Sequence, residues 1–215
     1  MPDYLMALMN INLKRGGANK DLNPVFKHAT DGTNADFTTQ VSVGTNSGFL
    51  TVRFLCEDNP FSHQNSMKIH NEPLYNQEVF EIFISAGADD PKSYFEIEIN
   101  PNNAVWIGEI ANPELGEGPQ RIVRQMEPAE VGLKHGAEIF DGCWSGFLNI
   151  PWELLGESTD YRINFYRIRS KVSHPDPDWE CDAATCDFVC WSSTLSGAEP
   201  AFHRPKRFGH LKVNG

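Results

Sequence analysis

The chain has 215 residues, 40% of them hydrophobic, with 29 acidic against 18 basic side chains and a formal net charge of −11. Binding a phosphate backbone requires a basic stripe, so this balance excludes nucleic acid and anionic membrane as main partners. No run of 18 apolar residues is present, so no bilayer-spanning helix is expected, and the length suits one domain with a sizeable core.

Residues 1–48 are weakly patterned. The start, MPDYLMALMNINLKRGG, places its basic residues after a short apolar stretch, the reverse of a secretory leader. The expectation is a cytoplasmic protein if the chain is full-length and an extracellular one if it is an excised module. From Phe49 the period changes to two: Leu50, Val52, Phe54 and Cys56 alternate with Thr51, Arg53 and Leu55. A polar loop over 57–76 follows, and ordered loops of this length are usually functional.

Residues 79–84 and 94–99 then form two alternating runs joined by a loop rich in Gly, Asp and Pro, the mark of adjacent antiparallel strands. Phe80, Ile82, Ile84, Phe95, Ile97 and Ile99 share one face. Glu81, Glu96 and Glu98 share the other. Further strands are expected over 104–110, 120–126, 143–150, 161–169 and 208–213, with one helical turn over 151–155 opened by Pro151. A second irregular stretch, 171–206, is broken by a strand at 188–191. Short strands, long loops and no sustained helical period predict an all-β fold, a single antiparallel β-sandwich with long ligand-presenting loops.

The three carboxylates on one sheet face fit two readings. One is a solvated outer face with Arg53 and Arg167 as charge partners. The other is a ligand face, because ionised carboxylates are strong acceptors for sugar hydroxyls. Paired carboxylates are also the minimum for glycoside hydrolysis, although a hydrolase needs them across a cleft with their pKa values held apart. No G-x-S-x-G, H-E-x-x-H, G-x-G-x-x-G or P-loop motif is present. Trp106, Trp144, Trp152 and Trp191 read as packing, and Trp179, in PDPDWECD, as a reserve ligand contact. The five cysteines are an odd count, for which reduced thiols are the expectation; a disulfide belongs to the exported case. The spacing of Cys181, Cys186 and Cys190 matches no zinc pattern.

Taken together, x-E-V-F-E-I-F-I, Y-F-E-I-E-I-N-P, W-S-G-F-L-N-I-P-W-E-L-L-G, N-F-Y-R-I-R and the closing W-S-S-T…F-H-R-P-K-R-F-G-H-L resemble carbohydrate-binding module family 9 and its stand-alone relatives. The resemblance covers 49–213, within a single domain taken as 1–215. It implies a non-catalytic β-sandwich that clamps a terminal sugar, from a mono- or oligosaccharide or a polysaccharide chain end such as xylan or cellulose, between two aromatic rings. By position the clamp residues are Tyr75 and Phe202, where the family has Trp. The polar contacts implied are Glu81, Glu96 and Glu199, and His203 and Arg204 beside Phe202 are added as hydroxyl donors. Structural calcium is implied as well, with no ligands assigned. Three alternatives stand beside this reading: a glycoside hydrolase using the sheet-face carboxylates, a haem-binding sandwich using Met67 with His63 or His70, and an interaction module without sugar affinity.

Overall fold

The computed structural model describes residues 8–22 and 25–215; the first seven residues, part of the segment read above for a leader, lie outside the described residues. In chain order the strands are β1 (Asn10–Lys14), β2 (Lys20–Leu22), β3 (Lys27–His28), β4 (Thr39–Thr45), β5 (Phe49–Cys56), β6 (Val79–Ala86) and β7 (Ser93–Ile99). They continue as β8 (Val105–Ala111), β9 (Arg121–Gln125), β10 (Lys134–Phe140), β11 (Cys143–Pro151), β12 (Asp160–Ser170), β13 (Cys186–Cys190) and β14 (Gly209–Asn214). One helical turn, α1 (Trp152–Leu155), follows β11 at the expected Pro151.

Five strands form one sheet, in the order β10-β11-β5-β4-β2, and nine form the other, along β1-β14-β12-β6-β7-β8-β9 with β13 and β3 attached to β12. All pairings are antiparallel except β1 with β14, which run parallel. The weakly patterned first 48 residues thus carry four strands. In β1 only Ile11 and Leu13 point inward, and in β4 Val41 and Val43 do so between polar neighbours, too short a signal to read alone.

The apolar sets of the facing sheets meet in one core. Phe54 of β5 stacks on Phe80 of β6 with centroids 4.0 Å apart, Phe165 extends the stack, and Trp144 meets Phe54 edge-on. Each buried aromatic ring removes enough apolar surface from water to stabilise the sandwich by roughly 2–3 kcal/mol.

A second apolar cluster lies on the other face of the nine-stranded sheet, built from Val79, Phe83, Tyr94, Trp106, Tyr166, Phe202 and Phe208 among others. Residues 57–78 and 171–208 cover this face. The solvated-face reading is therefore overturned: Glu81, Glu96 and Glu98 are 1%, 5% and 0% exposed. Their assignment to Arg53 and Arg167 is overturned as well. Arg167 projects from the opposite face of β12, where it meets Glu78 at 3.4 Å, Thr39 and the carbonyls of Thr38 and Glu57. Arg53 lies over the Phe147 ring on the other sheet.

Two further expectations are corrected. Cys181 and Cys186, 5.5 Å apart at Cα, form a disulfide, while Cys56, Cys143 and Cys190 are free. An odd count permits one bridge as readily as none, and this pair is within bridging range. Trp179 is no ligand contact: it is buried, stacks on His174 at 3.8 Å, and donates its indole N–H to the Gln64 carbonyl. Its ring fastens one covering loop to the other.

Candidate functional site

The strand register places the functional side chains in two rows on the covered face. Tyr166, Glu81, Glu98 and Trp106 are cross-strand neighbours in the first row. Asn164, Phe83, Glu96 and Gly108 form the second. Trp106 owes its position to Gly108. A Cβ there would come within 2.2 Å of the indole, so the missing side chain leaves room for the ring along the sheet. The result is a floor of two aromatic rings with carboxylates between them.

Above this floor lies a pocket of about 650 Å³. Glu81, Glu96, Phe83 and Trp106 line its base. Tyr75, Phe188, Pro200, Ala201, Phe202 and His203 also line it, together with Gln120, Arg121 and Ile122. Tyr75 sits on a 3₁₀ turn, Leu74–Asn76, whose Leu74 is fully buried and whose tyrosine is 46% exposed. Phe202 is only 8% exposed and stacks on Tyr166 at 4.5 Å, with the Tyr166 hydroxyl donating to the Phe202 carbonyl. One ring is thus free for a ligand, while the other has one face already committed to packing. Of the remaining expected residues, Glu199 is exposed off the pocket lining, and Arg204 leans on Gly116.

The carboxylates are in an unusual electrostatic state. Glu81 Oε1 and both Glu98 oxygens are buried with no hydrogen-bond partner. Glu78, three residues before Glu81 in the chain, shows what a structural buried glutamate looks like. It receives the Trp144 indole N–H at 2.9 Å, the Ser170 amide at 3.0 Å and Arg167. The pocket carboxyls lack such partners, so burial disfavours their charged forms. Burial, reinforced by the neighbouring Glu96 charge, holds Glu81 well above the ordinary carboxylate range. Burial and then the charges of Glu81 and Glu96 do the same to Glu98. Burial also pushes Glu96 up to about 8.

His203 is oriented by a defined relay. The Asn112 carbonyl oxygen accepts the Gly116 N–H, which turns its amide nitrogen toward the Tyr94 hydroxyl at 3.3 Å. The Tyr94 hydroxyl is in turn hydrogen-bonded to His203 Nδ1, 2.7 Å away. Burial pushes His203 down to about 4, so the ring is neutral at pH 7. Its Nε2 lies 3.9 Å from Glu96 Oε2, too far for a direct hydrogen bond.

The alternative cofactor readings gain little here. Among the described residues no group of three His, Cys, Asp or Glu side chains is placed to hold a metal ion. His70 accepts the Val105 N–H through Nδ1 and meets His135 edge-on, whereas Met67 packs against the outer apolar cluster, so they are turned to different neighbours.

With this geometry in view, comparison with known proteins is informative. A structure of a candidate carbohydrate-binding protein from Bacteroides uniformis superposes with a TM-score of 0.66 over 97% of this chain and 100% of that one, at 16% identity. A family 9 carbohydrate-binding module from Caldicellulosiruptor kristjanssonii in complex with glucose aligns over 96% of both chains, TM-score 0.56, at 13% identity. Its complex with cellotriose aligns over 96% and 94%, TM-score 0.55. The chain has the family 9 carbohydrate-binding module fold. No family model matches the sequence. An Arthroderma benhamiae protein named "Extracellular protein" is 28% identical over 148 residues, covering 64% of this chain and 67% of that protein.

Trp106 and Phe83 are the site residues that the sequence reading missed. Alternation within a strand makes an aromatic look like core whichever face it takes. The available signal was the glycine two residues after Trp106, on the same face.

Proposed function

We propose that this protein binds saccharides without catalysis, in the pocket over β6, β7 and β8. The observation that carries this reading is the buried, unpartnered Glu81 Oε1 at the base of an aromatic-lined pocket, with Glu96 beside it. Such an oxygen costs free energy until a donor reaches it, and a sugar ring supplies several hydroxyl donors beside an apolar C–H face. Tyr75 stacks on that face, with Phe202 in the same lining. Glu81 and Glu96 accept hydroxyls, and His203 contacts one that reaches Glu96. The shared fold with modules crystallised with glucose and cellotriose supports the ligand class.

The arrangement favours binding over hydrolysis. Glu96 has the raised pKa of a general acid, but Glu81 and Glu96 rise from one floor and do not face each other across a scissile bond. The Cys181–Cys186 disulfide and the name of the fungal relative support an extracellular setting.

Titration calorimetry against glucose, xylose, galactose, cellobiose and xylobiose tests the reading, with calcium-loaded and chelator-treated protein compared. Saturable binding is expected, weakened about tenfold or more by Tyr75→Ala at an unchanged melting temperature. Phe202→Ala should lower both affinity and stability, because its ring also packs on Tyr166. No heat with any sugar from folded protein would leave the interaction-module alternative.

A further inference from the structure

Resting on that reading, the carboxyl cluster says something further about which saccharide the pocket takes. Three glutamates stand side by side with no cationic partner among the described residues. His203 is held neutral by burial, and Arg167 lies on the other face of the sheet. Arg121, exposed in the pocket lining, forms no ion pair with them. A neutral sugar hydroxyl brings one proton to such a cluster. A protonated amine brings three, together with the missing charge. The flanking rings suit the same group, because the faces of Tyr75 and Trp106 attract a cation.

We propose that the pocket selects amino sugars, seating the ammonium of a glucosamine-type ring over Glu81 and Glu96. Before binding, burial and the mutual repulsion of the carboxyls keep protons on the cluster, which hold its charge down. The arriving ammonium takes over that role, and a proton leaves a carboxyl for bulk solvent. The other groups facing the cluster do not compensate. They are the phenols of Tyr75, Tyr94 and Tyr166, all shifted upward and neutral, together with neutral His203 and, beyond Tyr75, Glu180. Acetylating the amine removes its charge and with it the preference.

Calorimetry with glucosamine, glucose and N-acetylglucosamine at about pH 6.5, in two buffers of different ionisation heat, tests this. Glucosamine should bind at least about tenfold tighter than the other two, with a difference between buffers that corresponds to proton release. Glu81→Gln and Glu96→Gln, verified as folded by circular dichroism, should reduce glucosamine affinity to about that of glucose. Equal or tighter binding of glucose or N-acetylglucosamine would overturn the amino-sugar inference and leave the saccharide pocket standing. Identical heats in the two buffers would overturn it too, since the cluster would then not exchange its proton. Binding of none of the three by cooperatively melting protein would overturn both readings.

Discussion

At the scale of single residues, the buried glutamates make the protein's stability depend on pH in an unusual direction. Between the unfolded value near 4.5 and the raised folded values, about 8 for Glu96, the native state holds protons that the unfolded chain releases. The stabilisation is complete below about pH 4.5 and is lost as pH rises through the folded values. His203, pushed down to about 4, acts oppositely: acidification from about 6.5 toward 4 protonates the unfolded imidazole first and removes stability. Above neutrality only the carboxyl effect operates between these groups. The melting temperature should therefore fall between about pH 6.5 and 8.5, by roughly 3 °C per pH unit for each proton released. Glu81→Gln and Glu98→Gln should flatten that slope in differential scanning calorimetry; an unchanged slope would mean that other groups set it. Glu81 and Glu96 were legible as a pair because a period of two fixes which residues share a face, whatever covers that face. Tyr75 and Phe202 were not legible from period or propensity and came only through the family resemblance. The packing of Phe202 on Tyr166 depends on a contact 36 residues away, which local sequence does not encode.

At the scale of elements, the pocket depends on two covering segments held to each other as well as to the sheet. The turn carrying Tyr75 is tied to 177–181 by four contacts: Cys181 N–H to the Asn76 carbonyl at 2.7 Å, Asn76 Nδ2 to Glu180 Oε1 at 3.1 Å, and Gln77 to the Pro177 and Trp179 carbonyls. The Cys181–Cys186 bridge joins that segment to β13, whose Phe188 meets Phe202 at 6.0 Å. One bridge therefore positions both walls. Closing so short a loop stabilises by about 2 kcal/mol, so reduction should lower the melting temperature by about 4–8 °C. It should also weaken saccharide binding while leaving far-ultraviolet circular dichroism unchanged; equal affinity after reduction would detach the bridge from the site. The strong strands were legible because β5, β6, β7, β8, β11 and β12 put an apolar set on a buried face. β10 escaped notice since its seven residues are all partly or fully exposed, so no inward set stands out. The Asp141–Gly142 turn, with Gly142 at φ 73°, was the available hint that a hairpin partner preceded β11.

At the scale of the whole molecule, the two-sheet core and the covered face do different work. The stack of Phe54, Phe80 and Phe165 holds the sandwich, and the opposite face of β6 is free to carry polar groups that would be costly inside it. β6 is buried along most of its length for this reason, packed on the core below and under loops above. The sandwich was legible as a class. The burial of its outer face was not, because alternation reports which residues share a side and is silent on what lies over that side. The contrast between Glu78, satisfied by Arg167, Trp144 and Ser170, and Glu81, whose Oε1 has no partner, supports the proposal that the covered face is a binding site. The most direct test is a ¹H–¹⁵N titration following the tryptophan indole N–H signals while glucose and glucosamine are added in turn. The Trp106 signal should shift saturably with at least one of them, while Trp152, beside Tyr161 and away from the pocket, stays in place. A still Trp106 signal at saturating sugar, or a shift at Trp152 instead, would contradict the assignment of the pocket.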